Sequence, residues 1–249
     1  RVARVSVRPC GAPRVQRPVG AQERRAQVVD ERVDVMQARQ QAQRRHHDLG
    51  IALRGLDTLG VPRARRAGIY YAAALSSAKL RNYAAAARYA QQLDQIAQAD
   101  PAAARQSRIL AGELALMAGD AKRAWALSDG NAQGRADVIL WAQAGTQAGH
   151  AAEVAQRLQT WVAISPRDAT AWQLLAAAYT AQGQPLRAIR AEAEAQVAWL
   201  DYAAALDRCK AAQDLVRKTS AGADHIEASI IDTRARQVQS LLREQALER

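Results

Sequence analysis

The sequence predicts an all-α fold, an antiparallel helical-hairpin solenoid of about four to five repeats followed by a C-terminal helix. Three observations predict it. Hydrophobic residues make up 49% of the chain, yet phenylalanine is absent and alanine carries much of that share. Such a chain suits helices packed closely through small side chains rather than one deep core. From Gly68 onward, apolar residues recur at helical spacing and are interrupted by turn residues. Finally, Ala86, Ala124, Val154 and Ala188 mark one equivalent place in four successive hairpins, at steps of 38, 30 and 34 residues.

Residues 1–66 differ in kind from the rest of the chain. They hold 15 arginines, no lysine and 6 acids, so this quarter carries +9 of the net charge of +11 and leaves residues 67–249 nearly neutral. Four of the seven prolines fall here, the first leucine is Leu49, and no apolar period appears before about residue 27. The segment reads as a basic arm, disordered or partly helical, with helix expected over 27–48 and more weakly over 50–59. The same Arg/Val/Pro/Ala composition also arises when GC-rich coding DNA is translated in a wrong frame. Such an arm would attract nucleic-acid phosphates without sequence preference. It has no tyrosine or tryptophan before Tyr70 on which bases could stack, so no specific nucleic-acid partner is expected.

The repeat domain, 67–249, is read hairpin by hairpin. YYAAALSSAKLRNYAAAARYAQQLDQIAQADP predicts helices over about 69–79 and 82–98, turned at Leu80 to Asn82 and stopped at Asp100-Pro101. The second hairpin turns at Gly119-Asp120. The third turns at Gly149-His150 and stops at Pro166. DATAWQLLAAAYTAQGQPLRAIRAEA is the fourth, turned at Gly183-Gln184, with Pro185 at the first position of its second helix. A fifth unit, LDYAAALDRCKAAQDLVRK, takes the helix before it as its partner. In the last helix Asp224 and Glu227 form a cap pair, and Ile226, Ile230, Val238, Leu241 and Leu242 share one face.

In the fourth hairpin Trp172-x2-Leu175-Ala176-x2-Tyr179 matches the first half of the tetratricopeptide signature, with alanine in place of glycine, and Ala188 supplies the later small residue. Each position has a physical reason. Small residues sit where the helices cross, aromatics fill the wedge between them, and Gly183 lets the turn reach positive φ. All five tryptophans are expected in such core or wedge places. Tetratricopeptide arrays use the first helix of each hairpin to line a concave groove. By register that face holds Gln106, Glu113, Gln143, Gln147, Gln173 and Thr180, a polar, amide-rich surface suited to extended backbone.

Residues 67–249 further resemble the repeat half of BepA-type bacterial zinc metallopeptidases. The likeness is carried by YYAAALSSAKLRNYAAAARYAQQL, WQLLAAAYTAQGQPLRAIRAEAEAQVAWLDYAAAL and ASIIDTRARQVQSLLREQ. The resemblance implies a periplasmic protein whose repeats engage outer-membrane β-barrel assembly machinery and whose zinc sits in a preceding peptidase domain. A free-standing tetratricopeptide adaptor or chaperone-like protein is one alternative, and nucleic-acid binding through the basic N-terminal arm is another.

The chemistry of a site is sparse. That family's zinc motif, HExxH, does not occur. His46 and His47 are adjacent and cannot share a helical face, His150 is a turn residue, and His225 lies beside a cap, so no metal or cofactor is expected in this chain. Ser76, Ser77 and Ser107 have no histidine or acid at nucleophile spacing. Glu192 and Glu194, two apart on a helix, do not face each other. Catalysis is therefore not expected from this chain alone. Cys10 and Cys209 imply no disulfide framework, and Cys209 reads as a buried thiol. No run has the length of a membrane helix, and the N-terminus has no apolar h-region.

Overall fold

The computed structural model describes residues 61–218 and 225–247, with Arg44 and His47 as two further helical residues. Apart from those two positions, the helices expected over 27–48 and 50–59 lie outside the described residues, as do Cys10, His46 and Asp224. Among the described residues ten helices follow from residue 63. The first hairpin pairs α1 (Arg63–Lys79) with α2 (Tyr83–Ala97), and the second α3 (Pro101–Met117) with α4 (Ala121–Leu127). The third pairs α5 (Arg135–Ala148) with α6 (Ala151–Ile164), and the fourth α7 (Ala169–Ala181) with α8 (Pro185–Ala198). Then come α9 (Tyr202–Lys218) and α10 (His225–Leu247). Consecutive helices pack on each other throughout, which makes an all-α solenoid. Helix α1 begins at Arg63, four residues before the expected domain boundary.

One turn is used five times. Residues Arg81, Gly119, Gly149, Gly183 and Leu200 all take left-handed backbone, with φ between 61° and 96°. In each case the next residue donates its backbone N–H back into the preceding helix: Asn82 to Ser77, Asp120 to Ala115, His150 to Gly145, Gln184 to Tyr179 and Asp201 to Gln196. This Schellman closure satisfies carbonyls that the helix end would leave open. The same residue then caps the next helix. The side chains of Asn82, Asp120 and Asp201 accept from Ala85, Arg123 and Ala204. Asp100 and Asp168 cap in the same way between hairpins.

The turn sets the packing register. Seven residues before each left-handed residue stands a small, buried one: Ala74, Gly112, Ala142, Ala176 and Ala193. Five residues after it stand Ala86, Ala124, Val154, Ala188 and Ala205, none more than 4% exposed. Helices can approach only as closely as their side chains allow, so small residues at nine of these ten places, all but Val154, fix the crossing. Ala86, Ala124, Val154 and Ala188 thus occupy one structural position, as their spacing predicts. The larger side chains fill between: Val138, Trp141, Val154, Leu158, Leu175 and Tyr179 form the central core, and Leu93, Leu110 and Leu114 the one beneath the first hairpin.

The left-handed residues lie 38, 30 and 34 residues apart and then only 17. The last interval is half a repeat. Helix α8 therefore closes the fourth hairpin against α7 and opens a fifth against α9, as expected for the unit beginning at Leu200. The longer-range contacts change accordingly. The first helices touch in succession, α1 to α3, α3 to α5 and α5 to α7, but the last such step is α8 to α10. A row of helices in direct contact is the short side of a curved stack, so α1, α3, α5 and α7 lie inside the curve.

Two expectations need correction. Trp199 is not a wedge: it stands in the α8–α9 turn and is 51% exposed, whereas Trp141 is buried and Trp125, Trp161 and Trp172 are partly so. On α10 the buried line runs through Glu227, Ile231, Ala235 and Val238. Ile226 and Ile230 fall about 100° away from it at 100° per residue and are exposed. The α10 contact is built as much by charge as by apolar surface. The Glu227 carboxylate is buried against Arg190 and Arg187, and Arg234 grips Glu194 with two hydrogen bonds of 2.7 and 2.6 Å. Glu192 turns the other way, to Arg208 at 3.3 Å. Cys209 is a free, buried thiol beside this network. Burial, with Glu194 nearby, raises its pKa, and Arg234 opposes.

Candidate partner-binding groove

Inside the curve, α7 presents Gln173, Ala177, Thr180 and Ala181, spaced by four, three and one residues so that they form a single stripe. Across from them, α8 contributes Glu192, Ala195 and Gln196, and α9 contributes Arg208, enclosing a cleft of about 550 Å³. Its floor is alanine, so the backbone of a bound chain can come close. Its walls are polar. The side-chain amides of Gln173 and Gln196 make no hydrogen bond among the described residues, leaving donors and acceptors on both sides. The Thr180 hydroxyl donates to the Ala176 carbonyl at 2.9 Å and keeps its acceptor positions. Arg208 and Glu192 neutralise each other, so the cleft has no net charge.

Two of the six residues expected in the groove, Gln173 and Thr180, meet in this cleft. The others lie on earlier inner helices and outside it. Counted from the left-handed turn residue, Glu113 and Gln143 hold the position of Ala177, and Gln147 that of Ala181, so they continue the stripe onto α3 and α5. Gln106, in the second turn of α3, holds the position of Thr170, which lies three residues before Gln173 and outside the cleft. Glu113 is solvent-exposed, yet burial still holds its carboxyl above the ordinary range. Partial desolvation of an exposed carboxylate is what a concave surface produces.

Sequence reasoning missed the far wall, Glu192, Gln196 and Arg208. The fifth unit reads as taking the helix before it as its partner, but the register assigns the groove to the first helix of each hairpin, which leaves α8 and α9 out. The remaining signature residues serve the framework. Leu175, Ala176, Tyr179 and Ala188 are buried, and Trp172 anchors the hairpin entrance by donating its indole N–H to the Pro166 carbonyl at 2.9 Å.

A second, shallower cleft lies at one end, where Arg135, Trp161, Arg167, Asp168 and Trp199 meet. Arg135 holds Asp168 with two bonds of 2.8 Å, and the Trp161 indole N–H adds a third at 3.2 Å. Burial alone would raise the Asp168 carboxyl. These donors and the Ala171 N–H it caps outweigh burial and hold it below its ordinary range. Its hydrogen-bonding capacity is spent inside the fold, which makes it a joint between hairpins rather than a ligand.

Among the described residues no cluster of three His, Cys, Asp or Glu side chains is arranged to hold a metal ion, and no helix is long and apolar enough to cross a membrane. No protein-family model matches the chain, and no curated protein matches it.

Proposed function

We propose that this chain is a tetratricopeptide-type interaction module that holds an extended, uncharged stretch of a partner polypeptide in the cleft formed by α7, α8 and α9. The observation that carries this reading is the pair of unspent amides, Gln173 and Gln196, facing across a neutral, alanine-floored cleft. An extended strand exposes an N–H and a C=O at each residue, and glutamine amides answer both. The five repeated turns and their small crossing residues support the tetratricopeptide assignment. Trp172, Leu175, Ala176, Tyr179 and Gly183 carry its signature.

The resemblance of residues 67–249 to the repeat half of BepA-type metallopeptidases supports a partner among outer-membrane β-barrel proteins and the machinery that assembles them, in the periplasm. Catalysis in that arrangement belongs to a zinc peptidase domain, and this chain's part is to hold the substrate or the machinery. A transmembrane β-strand, with alternating polar and apolar residues and little charge, has the chemistry the cleft accommodates.

The test uses a fluorescein-labelled peptide copying one such amphipathic strand, titrated onto the full chain by anisotropy. Saturable binding is expected, weakened about tenfold or more by Ala177→Arg, which fills the cleft from an exposed position. Unchanged affinity in that variant, or no saturable binding, overturns the reading.

A further inference from the structure

The α8–α9 turn carries two residues that the fold itself does not account for. Leu200 takes left-handed backbone with φ 63°, where three of the other four equivalent residues are glycine, and its side chain is 63% exposed. A leucine loses stability in that conformation and here recovers none of it by burial. Trp199 beside it is 51% exposed, the least covered of the five tryptophans. Single exposed apolar side chains are ordinary in a folded protein. A third, however, belongs to the same neighbourhood. Ile164, 78% exposed, ends α6 next to Ser165, and Ser165 and Trp199 line the same shallow cleft of about 430 Å³. Apolar side chains gathered in this way mark a contact surface.

The turn is fixed from within. The Asp201 N–H donates to the Gln196 carbonyl at 3.0 Å, the Asp201 carboxylate caps α9 by accepting from the Ala204 N–H at 3.0 Å, and the Gln245 amide of α10 donates to the Leu200 carbonyl at 3.2 Å. Trp199 and Leu200 are thus held ready, which lowers the cost of binding. The charges of the cleft do not balance. Its ionisable lining residues are Arg135, Arg167 and Asp168. Asp168 is spent on Arg135, on the Trp161 indole and on its own cap. Arg167 is exposed, and its guanidinium makes no hydrogen bond or ion pair among the described residues. One positive charge is left over. The side-chain groups still open around it, the Ser165 and Thr170 hydroxyls and the Trp199 indole N–H, can all donate.

We propose that this cleft and the Trp199–Leu200 turn form a second docking surface, which takes a segment of a partner protein in which bulky apolar side chains adjoin a carboxylate side chain. The apolar part covers Trp199, Leu200 and Ile164, and the carboxylate pairs with Arg167. A basic segment is refused by the excess positive charge, and a purely apolar one would cover Arg167 without giving it a partner. The surface shares no lining residue with the concave cleft, so the two are filled independently.

The test uses a short fluorescein-labelled peptide, amidated at its C-terminus, with two leucines followed by two glutamates in a glycine–serine background. A second peptide carries lysine in place of glutamate. Each is titrated by anisotropy onto the full chain, Arg167→Glu, Leu200→Gly and Ala177→Arg, with circular dichroism confirming equal helix content. The glutamate peptide should saturate the parent chain and Ala177→Arg alike and lose about tenfold or more affinity for Arg167→Glu, which should take the lysine peptide instead. Leu200→Gly should bind the glutamate peptide about fivefold or more weakly while its urea midpoint rises, a combination that a merely structural leucine would not give. The proposal is overturned if the glutamate peptide fails to saturate the parent chain, or if Arg167→Glu or Leu200→Gly binds it as the parent does. Weaker binding to Ala177→Arg would also overturn it, since the peptide would then lie in the concave cleft.

Discussion

Gly145 and Trp125 stand so close that a Cβ on Gly145 would lie 2.4 Å from Cζ3 of the indole and 2.7 Å from the Val154 side chain. Trp125 has little room to give way, because its ring is stacked on His150 at 4.5 Å and packs against Trp141 at 5.1 Å. Gly145→Ala should therefore cost about 2–3 kcal/mol despite alanine's better helix propensity. Urea unfolding followed by circular dichroism would show it as a lower midpoint with an unchanged slope.

Ser77 offers the opposite case. It is fully buried in α1 and its hydroxyl has no partner among the described residues. Ser77→Ala removes a desolvated group and leaves almost no cavity, so stability should rise by about 1 kcal/mol. Thermal unfolding that falls instead would mean that the hydroxyl is satisfied in solution.

Leu200 adopts φ 63° in an exposed turn where glycine serves at three of the other four equivalent places. Leu200→Gly should stabilise the chain by roughly 0.5–1 kcal/mol, the relief of left-handed strain exceeding the entropy that glycine adds to the unfolded chain. A lower unfolding midpoint for the variant would contradict this.

The two perturbed carboxyls act on stability in opposite pH windows. Asp168 is held below its ordinary range, so its contribution is present above the unfolded value and is lost as pH falls through the folded one. Asp168→Asn should destabilise by about 1 kcal/mol or more at neutral pH and by progressively less in acid. Glu113 is held above its ordinary range, so its contribution is present below the unfolded value and lost as pH rises through the folded one. Glu113→Gln should raise neutral-pH stability, by less than about 1 kcal/mol since the group is exposed, with no gain in acid. Unfolding midpoints across pH 3 to 8 would separate the pair.

What was legible in the sequence was whatever repeats. Gly119, Gly149 and Gly183 announce their turns, and Ala86, Ala124, Val154 and Ala188 announce the crossings, because each must recur for the stack to close. The turns at Arg81 and Leu200 are built by hydrogen bonds that side chains of any kind permit, so residue type marks them weakly. The buried face of α10 was misread because Glu227 sits inside it, paired with Arg190, and a hydrophobic pattern cannot register a buried charge whose partner lies in another helix. Half of the cleft was found and half missed for a related reason. Gln173 and Thr180 follow from one hairpin's register, whereas Glu192, Gln196 and Arg208 stand on α8 and α9, and the register assigns the groove to the first helix of each hairpin alone.

That double membership works like a stacking fault in a layered crystal. Up to Gly183 each added hairpin extends the same surface, and any number of copies could lengthen it without limit. After Leu200 inside and outside exchange places, and further hairpins built on α10 would turn their lining helices to the rear. The array therefore limits its own reach: the row of inner helices has an end, and the turn at Leu200 says where.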